Sequence, residues 1–123
     1  MLRVLLVEDS ADDADLLRFQ LEDAGLRFEL HRVSDERGLR EAVGSFAPTV
    51  AMSDLNLPGY SGLDALELLH RLRPGLPLLL VTGDDEAVAP RVPATVLNKS
   101  ELHRLPALLA GAAARGARDA ANA

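Results

Sequence analysis

Two strand-like apolar runs in this chain end on carboxylates: Leu5-Leu6-Val7 leads into Glu8-Asp9, and Val50-Ala51-Met52 leads through Ser53 into Asp54. A parallel sheet gathers the carboxyl ends of its strands along one edge, and ligands bind in the crevice there. As neighbouring strands, the two runs bring three carboxylates from distant sequence to one pocket. Carboxylates that close raise one another's proton affinity unless a cation relieves them. The expected ligand is a divalent metal held by oxygen, a site that suits Mg2+.

The elements that must position these residues follow from the patterning. Apolar runs alternate with amphipathic stretches, which favours an α/β sheet. Arg3 to Val7 reads as the first strand. Ser10 caps a helix running to about Ala24, with Leu16, Leu17, Phe19 and Leu21 as its buried side and Gly25 as its stop. Glu29 to Val33 alternates like an edge strand, and Ser34 opens a second helix that ends near Gly44 to Pro48. Thr49 to Asp54 is the third strand, and Leu55 to Gly62 a loop by its Pro and two Gly. Ser61 with Asp64 starts a third helix carrying Leu63, Leu66, Leu69 and Leu72 at helical spacing. Leu78 to Thr82 and Thr95 to Asn98 are the last strands, and Ser100 caps a final helix from Glu101.

One segment breaks this rhythm. Only Asp84 to Ala94 separates the last two strands, and a parallel crossover needs at least about 10–12 residues with its helix. Pro90 and Pro93 cannot sit inside a helix without losing a hydrogen bond, and Pro90 pushes Ala89 away from helical angles. The expectation is one or two turns over Asp84 to Val88, with the fourth helix stunted or missing.

At 123 residues the chain makes one domain with its own core. No cysteine means no disulfide and no thiolate metal site, which fits a reducing cytoplasm. No apolar run approaches a membrane span, and strand-like residues directly after Met1 leave no room for a signal peptide. The net charge of -6 argues against a nucleic-acid surface. Twelve of the basic residues are Arg, and Lys99 is the one Lys. At a strand end its ammonium is a compact point charge that a planar guanidinium would not reproduce. His31, His70 and His103 show no ligand spacing.

Leu6-Val7-Glu8-Asp9, the stretch from Asp54 through Pro58-Gly59 to Gly62, Val81-Thr82-Gly83 and Lys99 together resemble the receiver domain of bacterial response regulators. The resemblance covers residues 2 to 110 and implies a doubly wound, five-stranded parallel sheet of order 2-1-3-4-5. It sets residues 1–110 as the receiver and 111–123 as an Ala-rich helix extension, tail or linker. It implies that Asp54 is the phosphoacceptor, that Asp9 binds Mg2+ directly and Glu8 through water, and that the Asn56 backbone carbonyl completes the protein's ligands. Thr82 would donate its hydroxyl to the phosphoryl group, Gly83 would allow close backbone approach, and Lys99 would contact first the Asp54 carboxylate and then a phosphoryl oxygen. The donor would be a phosphohistidine of a sensor histidine kinase or a phosphotransfer protein, and the domain would catalyse only its own phosphorylation and dephosphorylation.

Three departures from that pattern stand out. Val96 occupies the place of the usual aromatic three residues before the Lys. Ser100 replaces the usual Pro after it. The compressed Asp84 to Ala94 segment removes much of the usual signalling face, so output or dimerisation is expected through another surface, or the domain acts as a phosphate relay or sink. The competing reading is a pseudo-receiver acting as a binding scaffold, favoured by the missing aromatic and opposed by the complete acidic set. An aspartyl phosphatase is disfavoured because Asn56 stands where that chemistry needs a second Asp. A flavin-binding domain is disfavoured because three crowded carboxylates repel a phosphate.

Overall fold

The computed structural model describes residues 2–83 and 89–122. Its elements in chain order are β1 (Leu2–Val7), α1 (Ala11–Asp23), β2 (Phe28–Val33), α2 (Glu36–Ser45), β3 (Val50–Asp54), β4 (Asn56–Leu57), β5 (Tyr60–Ser61), α3 (Gly62–Leu72), β6 (Leu78–Thr82), β7 (Thr95–Asn98), a 3-10 helix (Lys99–Arg104) and α4 (Leu105–Asn122). The main sheet is parallel in the order β2-β1-β3-β6-β7. Leaving aside the short β4-β5 ribbon, this is the expected 2-1-3-4-5 arrangement.

Alternation along the strands builds the two sides of the sheet, because successive side chains point to opposite faces. Val4, Leu6, Val50, Met52, Leu79 and Val81 pack under α1 and α4. Their neighbours Leu5, Val7, Ala51, Leu78 and Leu80 pack under α2 and α3. Both faces are therefore covered, which explains why all five residues of β3 and all five of β6 are buried. Fully burying each large aliphatic side chain contributes roughly 1.5–3 kcal/mol, and this holds the layers together.

α1 corrects one expectation. Its buried residues are Ala14, Leu17 and Leu21, whereas Leu16 is 57% and Phe19 54% exposed. Ala14, Leu17 and Leu21 recur at the helical i, i+3, i+7 spacing, and Leu16 and Phe19 lie off that stripe. The stop at Gly25 is as expected: its φ is +74°, and its N–H reaches the Glu22 carbonyl at 2.9 Å.

Two other helix starts also shift. Asp35 rather than Ser34 caps α2, accepting from the Gly38 N–H at 2.8 Å. Asn98 rather than Ser100 caps the element after β7, accepting from both the Ser100 N–H and its hydroxyl at 2.9 Å. That element begins as a 3-10 helix and becomes α-helical only at Leu105, then runs on to Asn122. The expected loop after Asp54 contains the β4-β5 ribbon, turned at Pro58-Gly59 with Gly59 at φ +69°.

Between β6 and β7, residue 83 and residues 89–94 carry no helix. The expected short turn over Asp84 to Val88 lies outside the described residues. Arg91 ties this crossover to α3, pairing with Glu67 at 3.2 Å and Asp64 at 4.0 Å. Val92 and Ala94 pack against the core beneath α2 and α3.

Candidate functional site

The parallel register brings the ends of four strands to one edge. Val7 pairs with Ser53, Asp54 with Val81, and Thr82 with Asn98. Glu8, Asp54, Thr82 and Lys99 consequently leave neighbouring strands along one rim. Glu8, Asp54 and Lys99 line one cavity there, together with Asp13 of α1.

Asp54 is 7% exposed, and one of its carboxylate oxygens accepts from Lys99 Nζ at 3.4 Å. The backbone around it is braced on three sides. Ser53, fully buried, donates its hydroxyl to the Asp54 carbonyl at 2.8 Å. The Leu55 N–H donates to the Val81 carbonyl at 2.9 Å, and the Gly62 N–H to the Leu55 carbonyl at 2.9 Å. Gly62 earns its place sterically, because a Cβ there would collide with the Asp54 carbonyl oxygen. In the sequence Gly62 stands out only as the end of the loop and of the resembling motif, with no steric reason visible there. Its position beside the ribbon that folds back on Asp54 is what demands a glycine.

Glu8 is 3% exposed and accepts from the Ser10 N–H at 3.0 Å. Its carboxyl is raised from 4.5 to about 7, first by burial, against the lowering effect of the Ser10 bond, and then by Asp54, Asp9 and Asp13. Arg32, at the end of β2, donates to the Glu8 carbonyl at 3.1 Å and so ties the acidic turn to the edge strand. Asp9 is exposed, as is Asn56 at the start of the ribbon. Burial alone would lower the Lys99 ammonium, but Asp54, by charge and hydrogen bond, and then Asp13 and Glu8 leave it raised. Thr82 is buried at the end of β6, and the Gly83 carbonyl accepts from the Asn98 side chain at 3.4 Å.

Among the described residues no three acidic or histidine side chains converge as a ready-made metal cage. The Glu8 carboxylate is turned toward Ser10 and Asp54 toward Lys99. The donor chemistry nonetheless suits a hard divalent cation, since the rim offers carboxylate and carbonyl oxygens and the chain has no cysteine. Burial raises the Glu8 carboxyl most, and the neighbouring charge of Asp54 and Asp13 adds to it, a contribution that such a cation would offset.

Val96, in place of an aromatic ring, is 42% exposed on β7. Among the described residues no helix is long and apolar enough to cross a membrane.

Comparison with known proteins agrees with this arrangement. The response regulator receiver domain family matches residues 4–96, ending just before Lys99. The C4-dicarboxylate transport transcriptional regulatory protein DctD of Pseudomonas aeruginosa is 36% identical over 81 residues, covering 66% of this chain and 17% of that protein. The DNA-binding response regulator MtrA of Mycobacterium tuberculosis is 31% identical over 86 residues, covering 70% of this chain and 36% of that protein. The chain thus spans well under half the length of these relatives.

In fold, it is similar to the two component transcriptional regulator AraC of Clostridium phytofermentans, with TM-score 0.83, 18% identity and 100% of both chains covered. The signal receiver domain of an HD domain-containing protein from Pseudomonas fluorescens gives TM-score 0.83 at 21% identity, covering 99% of this chain and 93% of that one. With the family model spanning most of the chain and the sheet in the expected order, this protein belongs to the response regulator receiver domains of two-component systems.

Proposed function

We propose that the chain is a phosphoacceptor that takes a phosphoryl group from the phosphohistidine of a sensor histidine kinase, or of a phosphotransfer protein, onto Asp54 in the cytoplasm. The observation that carries this reading is the placement of Asp54: nearly buried, at the carboxyl edge of the sheet, and 3.4 Å from the ammonium of Lys99. A carboxylate attacking an anionic phosphoryl donor faces repulsion, so positive charge and hydrogen-bond donors must meet the equatorial oxygens during in-line transfer.

Each residue has a role in that account. An Asp54 carboxylate oxygen attacks phosphorus while the bond to the donor nitrogen breaks. Lys99 leaves the carboxylate for a phosphoryl oxygen. The Thr82 hydroxyl donates to another oxygen, and Gly83 lets the backbone approach. Asp9, Asp54, the Asn56 carbonyl and Glu8 would hold Mg2+, which when bound would supply further positive charge to the phosphoryl oxygens. Ser53 and Gly62 position the nucleophile from behind.

Incubation with acetyl phosphate and Mg2+ followed by intact mass measurement tests the reading. Wild type gains one phosphoryl mass, and Asp54→Asn gains none. No gain in wild type, where a control receiver labels, would point to the scaffold reading instead.

Output follows from the β6–β7 crossover. With exposed Val96 and the crossover pinned to α3 by Arg91, the phosphorylated state is read by a surface other than the usual one, and any homodimer forms through it. Amide hydrogen exchange with and without beryllofluoride checks this. Protection changes along α1 or α3 are expected, and changes confined to the β6–β7 crossover contradict it.

A further inference from the structure

The two edges of the main sheet differ. β7 forms one edge with four residues, whereas β2 forms the other with six, pairing with β1 along its whole length from Leu2↔Phe28 to Val7↔Val33. Sheet edges are commonly blunted by a bulge, a Pro or a very short strand, and β2 has none of these. The Arg27 carbonyl accepts from the Leu2 N–H and the Val33 carbonyl from the Glu8 N–H, so the odd-numbered residues of β2 turn their backbone groups toward β1. Backbone groups alternate sides along a strand, which leaves the N–H and C=O of Phe28, Leu30 and Arg32 facing outward. No described strand pairs with them.

The space beside that edge can receive a strand. An open groove of about 790 Å3 runs along it, with Arg18 and Glu22 of α1 on one side and Phe46 on the other. Phe46 is fixed there: the Arg3 guanidinium lies 4.4 Å over its ring and donates to its carbonyl, and His31 stacks on it. The edge also matches itself. A two-fold axis at Leu30 makes two copies of β2 antiparallel, setting Leu30 against Leu30, Phe28 against Arg32 and Glu29 against His31. Phe28, Leu30 and Arg32 carry the outward groups, so those pairs exchange both N–H···O bonds. Moving the axis to Glu29 or His31 sets like residues face to face and leaves Arg32 or Phe28 without a strand residue opposite. α1 obeys the same symmetry. Arg18 and Glu22 stand one helical turn apart above this edge, and in the two-fold pair each Arg18 meets Glu22 of the other copy.

We infer that the chain pairs with a second copy of itself through β2, antiparallel and centred on Leu30, so that one sheet runs on through both molecules. This gives the homodimer a face and stands whether or not Asp54 is the phosphoacceptor. A second copy is the occupant because the edge complements itself in charge, Arg18 against Glu22 and Glu29 against His31, and in its outward backbone groups. The Leu30 side chain, half-buried in one copy, loses more of its water contact across the axis. Asp54 sits on β3, separated from this flank by β1, so both copies keep their rims open.

Sedimentation equilibrium of the full chain from micromolar to about 1 mM reads the association, and amide exchange at the two ends of that range reads the face. Twice the chain mass is expected at high concentration, with the N–H groups of Phe28, Leu30 and Arg32 exchanging at least about tenfold more slowly there. Arg18→Glu makes both contacts with Glu22 repulsive and should raise the dissociation constant roughly tenfold. Arg18→Glu with Glu22→Arg restores the match and should return it to within about threefold of wild type. The exchange readout on wild type stands without either variant. A monomer at every concentration overturns the inference and leaves the edge to a strand of another protein. A dimer whose three amides exchange as in the monomer overturns it too, as does one that Arg18→Glu does not weaken or the double variant does not rescue. None of these outcomes bears on mass gain at Asp54, which is read separately.

Discussion

The chain crosses from β3 to β6 and from β6 to β7 by different means. The first crossing carries α3, which buries Ala65, Leu66, Leu68 and Leu69 against the sheet. The second has residues 83–94 at its disposal, and its described part holds on through an exposed guanidinium and two half-buried side chains, Val92 and Ala94. Yet β7 pairs with β6 in unbroken register from Leu79↔Thr95 to Thr82↔Asn98. The difference teaches that the sheet ladder places Lys99 opposite Asp54. Among the described residues of the second crossing no helix contributes to aiming the site.

Truncations on the two crossings should therefore differ in cost. Leu66→Ala removes a fully buried side chain and is expected to lower unfolding free energy by roughly 2–5 kcal/mol. Val92→Ala, at a half-buried position, should cost about 1 kcal/mol. Urea denaturation of both variants decides the matter, and equal losses would mean that the short crossing is as much a part of the core as α3.

The acidic rim contributes instability of its own that neither crossing does. The Glu8 carboxyl stands at about 7 in the folded protein against 4.5 ordinarily, chiefly through burial. Between those values the folded state binds more protons than the unfolded one. Stability without divalent metal should therefore fall as pH rises from about 4.5 to about 7, by at most ~3 kcal/mol, with no further loss from this group above that. Denaturation in EDTA across this range reads the slope, and Glu8→Gln should flatten it. A wild type equally stable at both ends removes this account of Glu8.

The smallest effect belongs to Arg91. Its side chain is 64% exposed, and exposed pairs contribute about 0–1 kcal/mol. Arg91→Ala should scarcely move the midpoint while increasing amide exchange at Val92 and Ala94. A large stability loss would show that the Arg91 pairs, and not apolar packing, hold the short crossing.

Much of this was legible before the structure because uninterrupted apolar runs stop at charged residues. Val7 and Met52 end buried strand stretches, so Glu8 and Asp54 read as rim residues, and Lys99 stood out as the chain's one Lys. The strand order came from the family resemblance. Apolar composition misled in α1, where Leu16 and Phe19 look like core, but the helical stripe through Ala14, Leu17 and Leu21 takes the buried side. Caps were uncertain by one or two positions because adjacent Ser, Asp and Asn compete for the same N–H groups, as Asp35 and Asn98 illustrate. The need for Gly62 was hidden, since it arises from a carbonyl eight positions earlier in the chain.

The bond from Lys99 to Asp54 spans an intervening strand: it starts just past β7, passes β6 and ends on β3. It works as a tie-rod from the middle of the sheet to its last and shortest member. The outer four-residue strand thereby has a charged anchor on the central carboxylate in addition to its hydrogen-bonded ladder with β6.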